Sequence, residues 1–256
     1  MRRSDFEYWR DLVWVLLIKE IRLRYKNTLL GYVWSVLNPL AFAAVFFVVF
    51  KVFVRVEMEN YLLFLICGLF PWQWFQNSMV AANHHFLGNS TLIKKVSFPR
   101  QFLVLAGVLN EVFHFAASLP VIVAFLLYYG LAPSWQWIFE IPLMVLLQFA
   151  FSYGLALTVA TCNLFFRDLE RLVGIFTMLW LYLTPVLYSV DMIPARYHWC
   201  LYINPMAMLI ENWRGVLMRG ELAAVPCLVT AGYGLLALWL GQSVYRAKER
   251  RFAEIV

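Results

Sequence analysis

The chain has 256 residues, 63% of them hydrophobic and only 14% charged, with a net charge of +6. Soluble domains are roughly 45–50% apolar and about 25% charged, so a soluble globular fold is excluded and the chain reads as an integral membrane protein. Its bases lie beside long apolar runs, where orientation across a bilayer accounts for them, and nucleic acid is not an expected partner.

Taken in order, the chain opens with Ser4 and Glu7 in a capping-box spacing. This predicts a helix through Trp9, Leu12, Val13 and Leu16. The apolar run from Leu12 to Ile18 is seven residues long and lies between Arg10-Asp11 and Lys19-Glu20. That is too short to span and lacks a small-residue cleavage site, so the segment is expected to remain as an interfacial, imperfectly amphipathic helix over residues 1–28.

A charge-free run of 22 residues, Leu29 to Phe50, then reaches across a hydrocarbon core of about 30 Å. Charge-poor runs predict six transmembrane helices, since a backbone in lipid must satisfy its own hydrogen bonds. They are Leu29 to Val54, Tyr61 to Ala82, Phe102 to Tyr129, Ile138 to Phe166, Leu172 to Val190, and Leu222 to Tyr245. With the N-terminus inside, the inner segments hold 16 of the 21 Lys and Arg residues and the outer ones 5. That asymmetry predicts that both termini are cytoplasmic, with residues 246–256 as a cytoplasmic tail. The expected architecture is one all-α membrane domain: spans one to five within 29–190, an outer segment over 191–221, and span six over 222–245.

The outer segment contains a 14-residue uncharged run, Tyr197 to Ile210, broken at Asn204-Pro205. Runs of that length re-enter or lie in the interface more often than they cross, so a re-entrant or short-helix element is expected before the last span. On the other side, GNSTLIKKVSFPR (residues 88–100) has three bases, no acid and an apolar side made of Leu92, Ile93, Val96 and Phe98. It is read either as a positive-inside anchor or as a short helix offered to a cytoplasmic partner.

Residues that could carry chemistry are few. Glu111 and His114 form an E-x-x-H pair within a span, but no second copy exists to complete a metal site, so a hydrogen-bonded or cavity-facing role is expected and no metal. The four cysteines, at 67, 162, 200 and 227, have no metal-ligand or paired spacing. No G-x-S-x-G turn and no G-x-x-x-x-G-K-[ST] loop is present, so any ATP hydrolysis is expected on another chain. Aromatics are abundant. Phe42, Phe46, Phe50 and Phe53 share a face of the first span, and Trp72, Trp74 and Phe75 cluster in the second. Such stripes pack against neighbours or lipid, or line a pore on whose apolar walls sugar rings could slide.

Six stretches then occur together in order: KEIRLRYKNTLLGYVWSVLNPL from Lys19, FLICGLFPWQWF from Phe64, LIKKVSFPR from Leu92, FFRDLERL from Phe165, YLTPVLYSVDMIP from Tyr182 and INPMAMLIENWRGVL from Ile203. The ordered set resembles the permease subunits of ABC-2 type polysaccharide exporters, which move O-antigen, capsule and teichoic-acid chains. The resemblance implies a homodimer in the bacterial cytoplasmic (inner) membrane, bound to two cytoplasmic ATPase subunits that carry ATP and Mg. It implies a lipid-linked polysaccharide as cargo and no cofactor on this chain. It also implies site roles. Lys19, Arg22, Arg24 and Lys26 would meet the pyrophosphate head of the cargo, and Phe42, Phe46, Phe50, Phe53 and Trp72 would line the channel. Leu92, Ile93, Lys94, Lys95, Phe98, Pro99, Arg167 and Asp168 would couple to the ATPase, and Tyr197, Trp199, Tyr202, Asn204 and Pro205 would form the outer gate. The competing readings are an exporter of the same architecture for a small amphipathic drug or lipid, and a six-span intramembrane enzyme, which would need a nucleophile that the motifs do not supply.

Overall fold

The computed structural model describes residues 5–24, 31 and 33–252, and these residues form a bundle of helices with no strand among them. In chain order the α-helices are α1 (Asp5–Arg24), α2 (Val33–Phe47), α3 (Tyr61–His85), α4 (Ser90–Lys95), α5 (Gln101–Tyr128), α6 (Trp137–Phe165), α7 (Leu169–Leu183), α8 (Trp199–Ile203), α9 (Pro205–Arg214) and α10 (Ala224–Lys248). Among the described residues, four helices are long and apolar enough to cross a membrane: α2 with its π-helical continuation to Phe53, α5, α6, and α10 with its 3-10 extension to Arg251.

The helix at the centre is α3, which packs against α2, α5, α6, α7 and α9. Residues on every side of it are buried, among them Leu63, Leu65, Ile66, Cys67, Trp72, Trp74 and Phe75. A helix enclosed by protein need not dissolve in lipid, and α3 accordingly carries Gln73, Gln76, Asn77 and Asn83. Two side chains of α6 fasten it: Gln148 donates to the Pro71 carbonyl at 2.7 Å, and Asn163 donates to the Asn83 carbonyl at 2.9 Å.

The tightest helix pair is α6 with α10. A Cβ on Gly154 would stand 2.3 Å from the carbonyl carbon of Ala237, and one on Gly241 would stand 2.3 Å from the carbonyl oxygen of Gly154. Small residues let two backbones approach this closely, and dispersion across the seam replaces the hydrophobic drive that lipid cannot supply.

Several expected boundaries are corrected. The fifth helix starts three residues early and ends at Leu183 instead of Val190, because Pro185 forces Thr184 out of the helical region, to ψ 138°. Its 15 residues rise about 22 Å, less than a hydrocarbon core. The first span leaves α geometry at Phe47, where Lys51 turns its amine onto the carbonyls of Val56 at 3.3 Å and Met58 at 2.9 Å. The opening helix runs for 20 residues, inside the expected range of 1–28. It sets Leu16 and Leu17 inward, places Trp9 5.4 Å from Phe102 of α5, and leaves Phe6, Trp14, Val15 and Leu23 exposed. Ser4 of the capping box lies outside the described residues.

The segment over residues 246–252 is packed against the bundle. It continues α10, and Phe252 is wholly buried among Phe86, Phe165 and Tyr245. Arg100 lies 5.8 Å from the centre of that ring and donates to the Glu249 carbonyl at 2.9 Å. The end of α10 is thereby stapled to the ends of α3, α5 and α6.

The glycine seam gives a direct test. Gly154→Ala and Gly241→Ala each force the helices apart and should destabilise the protein by about 1–3 kcal/mol. Gly232→Ala, on the same helix with open space at its Cβ, should instead gain up to about 1 kcal/mol of helix propensity. Thermal unfolding midpoints in detergent should fall for the first two variants and hold or rise for the third, and equal midpoints would show that the seam is not close-packed.

Candidate functional site

The expected outer segment is a pair of short helices joined at Asn204. The Asn204 Oδ1 accepts from the backbone N–H groups of Met206 at 3.1 Å and Ala207 at 3.3 Å, and Pro205 occupies the first turn, where its missing N–H costs nothing. The same side chain accepts from Trp180 Nε1 at 2.9 Å and donates to Thr184 Oγ1 at 3.0 Å, so the junction is pinned to the end of α7. Asn204 and Pro205 thus shape the element, whereas Tyr197, Trp199 and Tyr202 stand exposed on its surface.

From that junction α9 runs into the bundle with nine of its ten residues buried. Arg214, at its end, is 1% exposed. Its guanidinium donates to the carbonyls of Pro185, of Val186 at 2.6 Å and of Phe64 at 3.3 Å, and pairs with Glu211 at 2.9 Å. It lies 3.4 Å from the centre of the Phe64 ring, and Gly68 opposite has no room for a Cβ, which would stand 2.6 Å from Nη2. Trp213 completes the lock by donating to Gln148 Oε1 at 2.6 Å. Sequence reasoning passed over Arg214 as an outer-loop charge. The available signal was the i, i+3 pair Glu211–Arg214 inside an otherwise apolar run.

On α2 and its continuation, the rings of Phe42, Phe46 and Phe50 follow one another at 6.3 Å spacings, and Phe42 and Phe53 are 48% and 72% exposed. Trp72 stands apart from these exposed rings. It is 1% exposed, with its ring against Phe75 and Trp180, because it lies on the enclosed helix α3.

At the end of the bundle that holds α4, Ile93 and Phe98 are buried, Leu92 and Pro99 are half-buried, and Lys94 and Lys95 project outward. The α6–α7 corner presents Phe166, Arg167 and Asp168, all exposed. Of the four bases expected to act together, two have described side chains. Lys19 is held by Asn89 and by Glu20 at 3.6 Å, and Arg22 is exposed. The Arg24 side chain and Lys26 lie outside the described residues. Glu111 is 2% exposed, accepts from Asn77 Nδ2 at 3.2 Å and lines a cavity of about 410 Å³ with Asn110, His84 and His85, so it is both hydrogen-bonded and cavity-facing. His114, one turn away, is also buried.

These features describe a helical membrane subunit with two structured ends, an open aromatic face and no catalytic constellation among the described residues. A sequence profile described as ABC-2 type transporter matches residues 11–218, and the chain belongs to that family. It is a transporter subunit and not an enzyme. Among its relatives, the O-antigen export system permease protein RfbA of Klebsiella pneumoniae is 43% identical over 254 residues, covering 99% of this chain and 98% of the relative. The protein of the same name from Myxococcus xanthus is 31% identical over 257 residues, with 99% and 98% covered. The polysialic acid transport protein KpsM of Escherichia coli is 23% identical over 256 residues, with 97% and 98% covered.

The Arg214 contacts predict a graded response. Arg214→Met strands three buried carbonyls and Glu211, and should cost about 3–5 kcal/mol. Arg214→Lys keeps the charge but not the planar fork, and should cost about 1–3 kcal/mol. Protease resistance of the α8–α9 segment and thermal midpoints should fall in that order; a methionine variant as stable as the parent would show that the arginine does not hold the segment.

Proposed function

We propose that this chain is the channel-forming permease of an ATP-driven exporter that carries a lipid-linked polysaccharide of the O-antigen kind across the bacterial cytoplasmic membrane. The observation that carries the reading is the 43% identity, across almost the whole of both chains, to a protein named as an O-antigen export permease. In this reading residues 1–256 are one domain, and α2, α3, α5, α6, α7 and α10 are its six spans. The length missing from α7 is supplied by the turn residues after Leu183, and the polar groups of α3 are tolerated because its neighbours shield them from lipid. The helix α1 lies along the interface, and α8 with α9 forms a re-entrant gate whose exposed Tyr197, Trp199 and Tyr202 meet the outer surface.

In this reading the α4 end and both termini are cytoplasmic, which the excess of bases in the inner segments supports. There, Lys94 and Lys95 of α4, with Arg167 and Asp168 of the α6–α7 corner, face two ATPase subunits, while Ile93 and Phe98 fix α4 to the bundle. ATP and Mg belong to those partners. Lys19, Arg22, Arg24 and Lys26 would meet the cargo's pyrophosphate, and Arg22 is exposed to accept a phosphate in charge-assisted hydrogen bonds. A second copy of the chain, facing the aromatic stripe of α2, would close a conduit with flat apolar walls. Such walls bind sugar rings weakly and through no fixed hydrogen bonds, which suits a long chain that must keep moving.

Depleting this chain while the ATPase is present should cause lipid-linked glycan to accumulate on the cytoplasmic side, and the absence of accumulation would overturn the reading. Phe42→Leu with Phe46→Leu should keep the protein in the membrane yet lower glycan flux by about tenfold, the rate factor of ~1.4 kcal/mol. Lys94→Glu with Lys95→Glu should release the ATPase on purification, since like or mismatched charges across an interface cost on the order of several kcal/mol. Undiminished co-purification would move the contact elsewhere.

A further inference from the structure

At the α9 end, a cleft of about 600 Å³ opens between α9, the start of α3 and the segment after α7. That volume falls within the range of about 300–1,000 Å³ typical of small-ligand sites. Its lining is rich in planar hydrogen-bonding groups. Glu59, Asp191 and Glu221 are exposed at the rim with Arg219, and Tyr202 is 51% exposed beside them. Asn212 lines the buried floor. It is 1% exposed, its Oδ1 accepts from the Ala223 N–H at 3.2 Å, and its Nδ2 donates to no group. Glu211 and Arg214 also line the cleft but are spent on each other.

The charges select the ligand class. Three rim carboxylates stand against one free guanidinium, and among the described residues none of the three is ion-paired, so the mouth is net negative. A phosphate or a carboxylated chain would be repelled there, by about 1 kcal/mol per charge pair at 4 Å even in bulk water. What the lining favours is a ligand that offers many O–H or N–H donors to carboxylates, accepts from Asn212 and Arg219, and has an apolar face to lay on Tyr202. A sugar does all three, because each hydroxyl both donates and accepts and the ring carries a C–H face.

We propose that this cleft is a saccharide-binding site for one or two residues of the emerging glycan, and that its acidic rim restricts the cargo to neutral or amino-bearing sugars. The inference rests on the polysaccharide reading above and adds to it the charge class of the cargo and the residues that sense it.

The test uses the full chain with its ATPase partner in nanodiscs, probed with three tetrasaccharides: neutral mannose, cationic glucosamine and anionic sialic acid. Saturation-transfer spectra and titration should show the neutral and cationic probes binding at least about tenfold more tightly than the anionic one. Glu59→Gln, Asp191→Asn and Glu221→Gln combined should raise anionic binding by about fivefold or more while weakening the neutral probe, whose hydroxyls lose charged acceptors, so that the preference for neutral over anionic sugar is lost. Tyr202→Ala, an exposed position that the fold does not need, should weaken the neutral probe by about tenfold. Anionic binding equal to neutral, or neutral binding unaffected by Tyr202→Ala, overturns the site. Vesicle export of lipid-linked glycan, run in parallel, separates the two levels. Export of glycan with no probe binding sinks the cleft alone, whereas failure to export glycan of any charge sinks the polysaccharide reading itself.

Discussion

The buried guanidinium of Arg214 is the interaction on which the α9 end of this protein depends. A charge sealed from water is tolerable only when its donors are satisfied, and here three backbone carbonyls and one carboxylate surround it. Two of those carbonyls, at Pro185 and Val186, are free because the proline has already ended α7. The third, Phe64, belongs to the first turn of α3, whose donors lie further along the helix. One side chain therefore ties together the end of α7, the start of α3 and the inserted helix α9. It also demands a glycine at position 68, where any side chain would collide with it.

That arrangement makes sense of the otherwise awkward composition of α3. Helices facing lipid must be apolar along their length, and α2, α5, α6 and α10 are. The central helix is screened by its neighbours, so it can carry amides, and those of Asn77 and Asn83 donate to Glu111 of α5 and to α3's own turns. Gln148 illustrates the economy. Its amide holds the Pro71 carbonyl with one atom and the indole of Trp213 with the other, so α3, α6 and α9 are registered by a single residue. The opposite end is registered by packing instead, with Phe252 in its aromatic socket under Arg100.

Because both ends are fixed in this way, the remaining apolar surface becomes informative. The outward faces of α2 and α7 carry Val45, Val52, Phe42, Ile175, Phe176, Leu179 and Leu183, all exposed in the single chain. Apolar area on that scale is covered in a membrane by lipid or by another protein surface.

Hydropathy alone determined that the chain lives in a membrane, that it is helical, and roughly where most helices lie, because backbone burial in lipid admits few alternatives. The break at Asn204-Pro205 was legible too, since an asparagine cap followed by proline is a local signal for a helix start. Likewise, the bases of α4 and its apolar side could be read from spacing along one turn. What the sequence could not yield is any fact that depends on which helix stands beside which. Trp72 reads as readily lining a pore as filling a core, and only the enclosure of α3 decides for the core. Arg214 reads as a loop charge until the carbonyls of Phe64, Pro185 and Val186, distant in sequence, are brought to it. Local propensity and hydropathy are properties of short segments, whereas burial and hydrogen-bond satisfaction are properties of neighbours, and the tertiary structure alone assigns those.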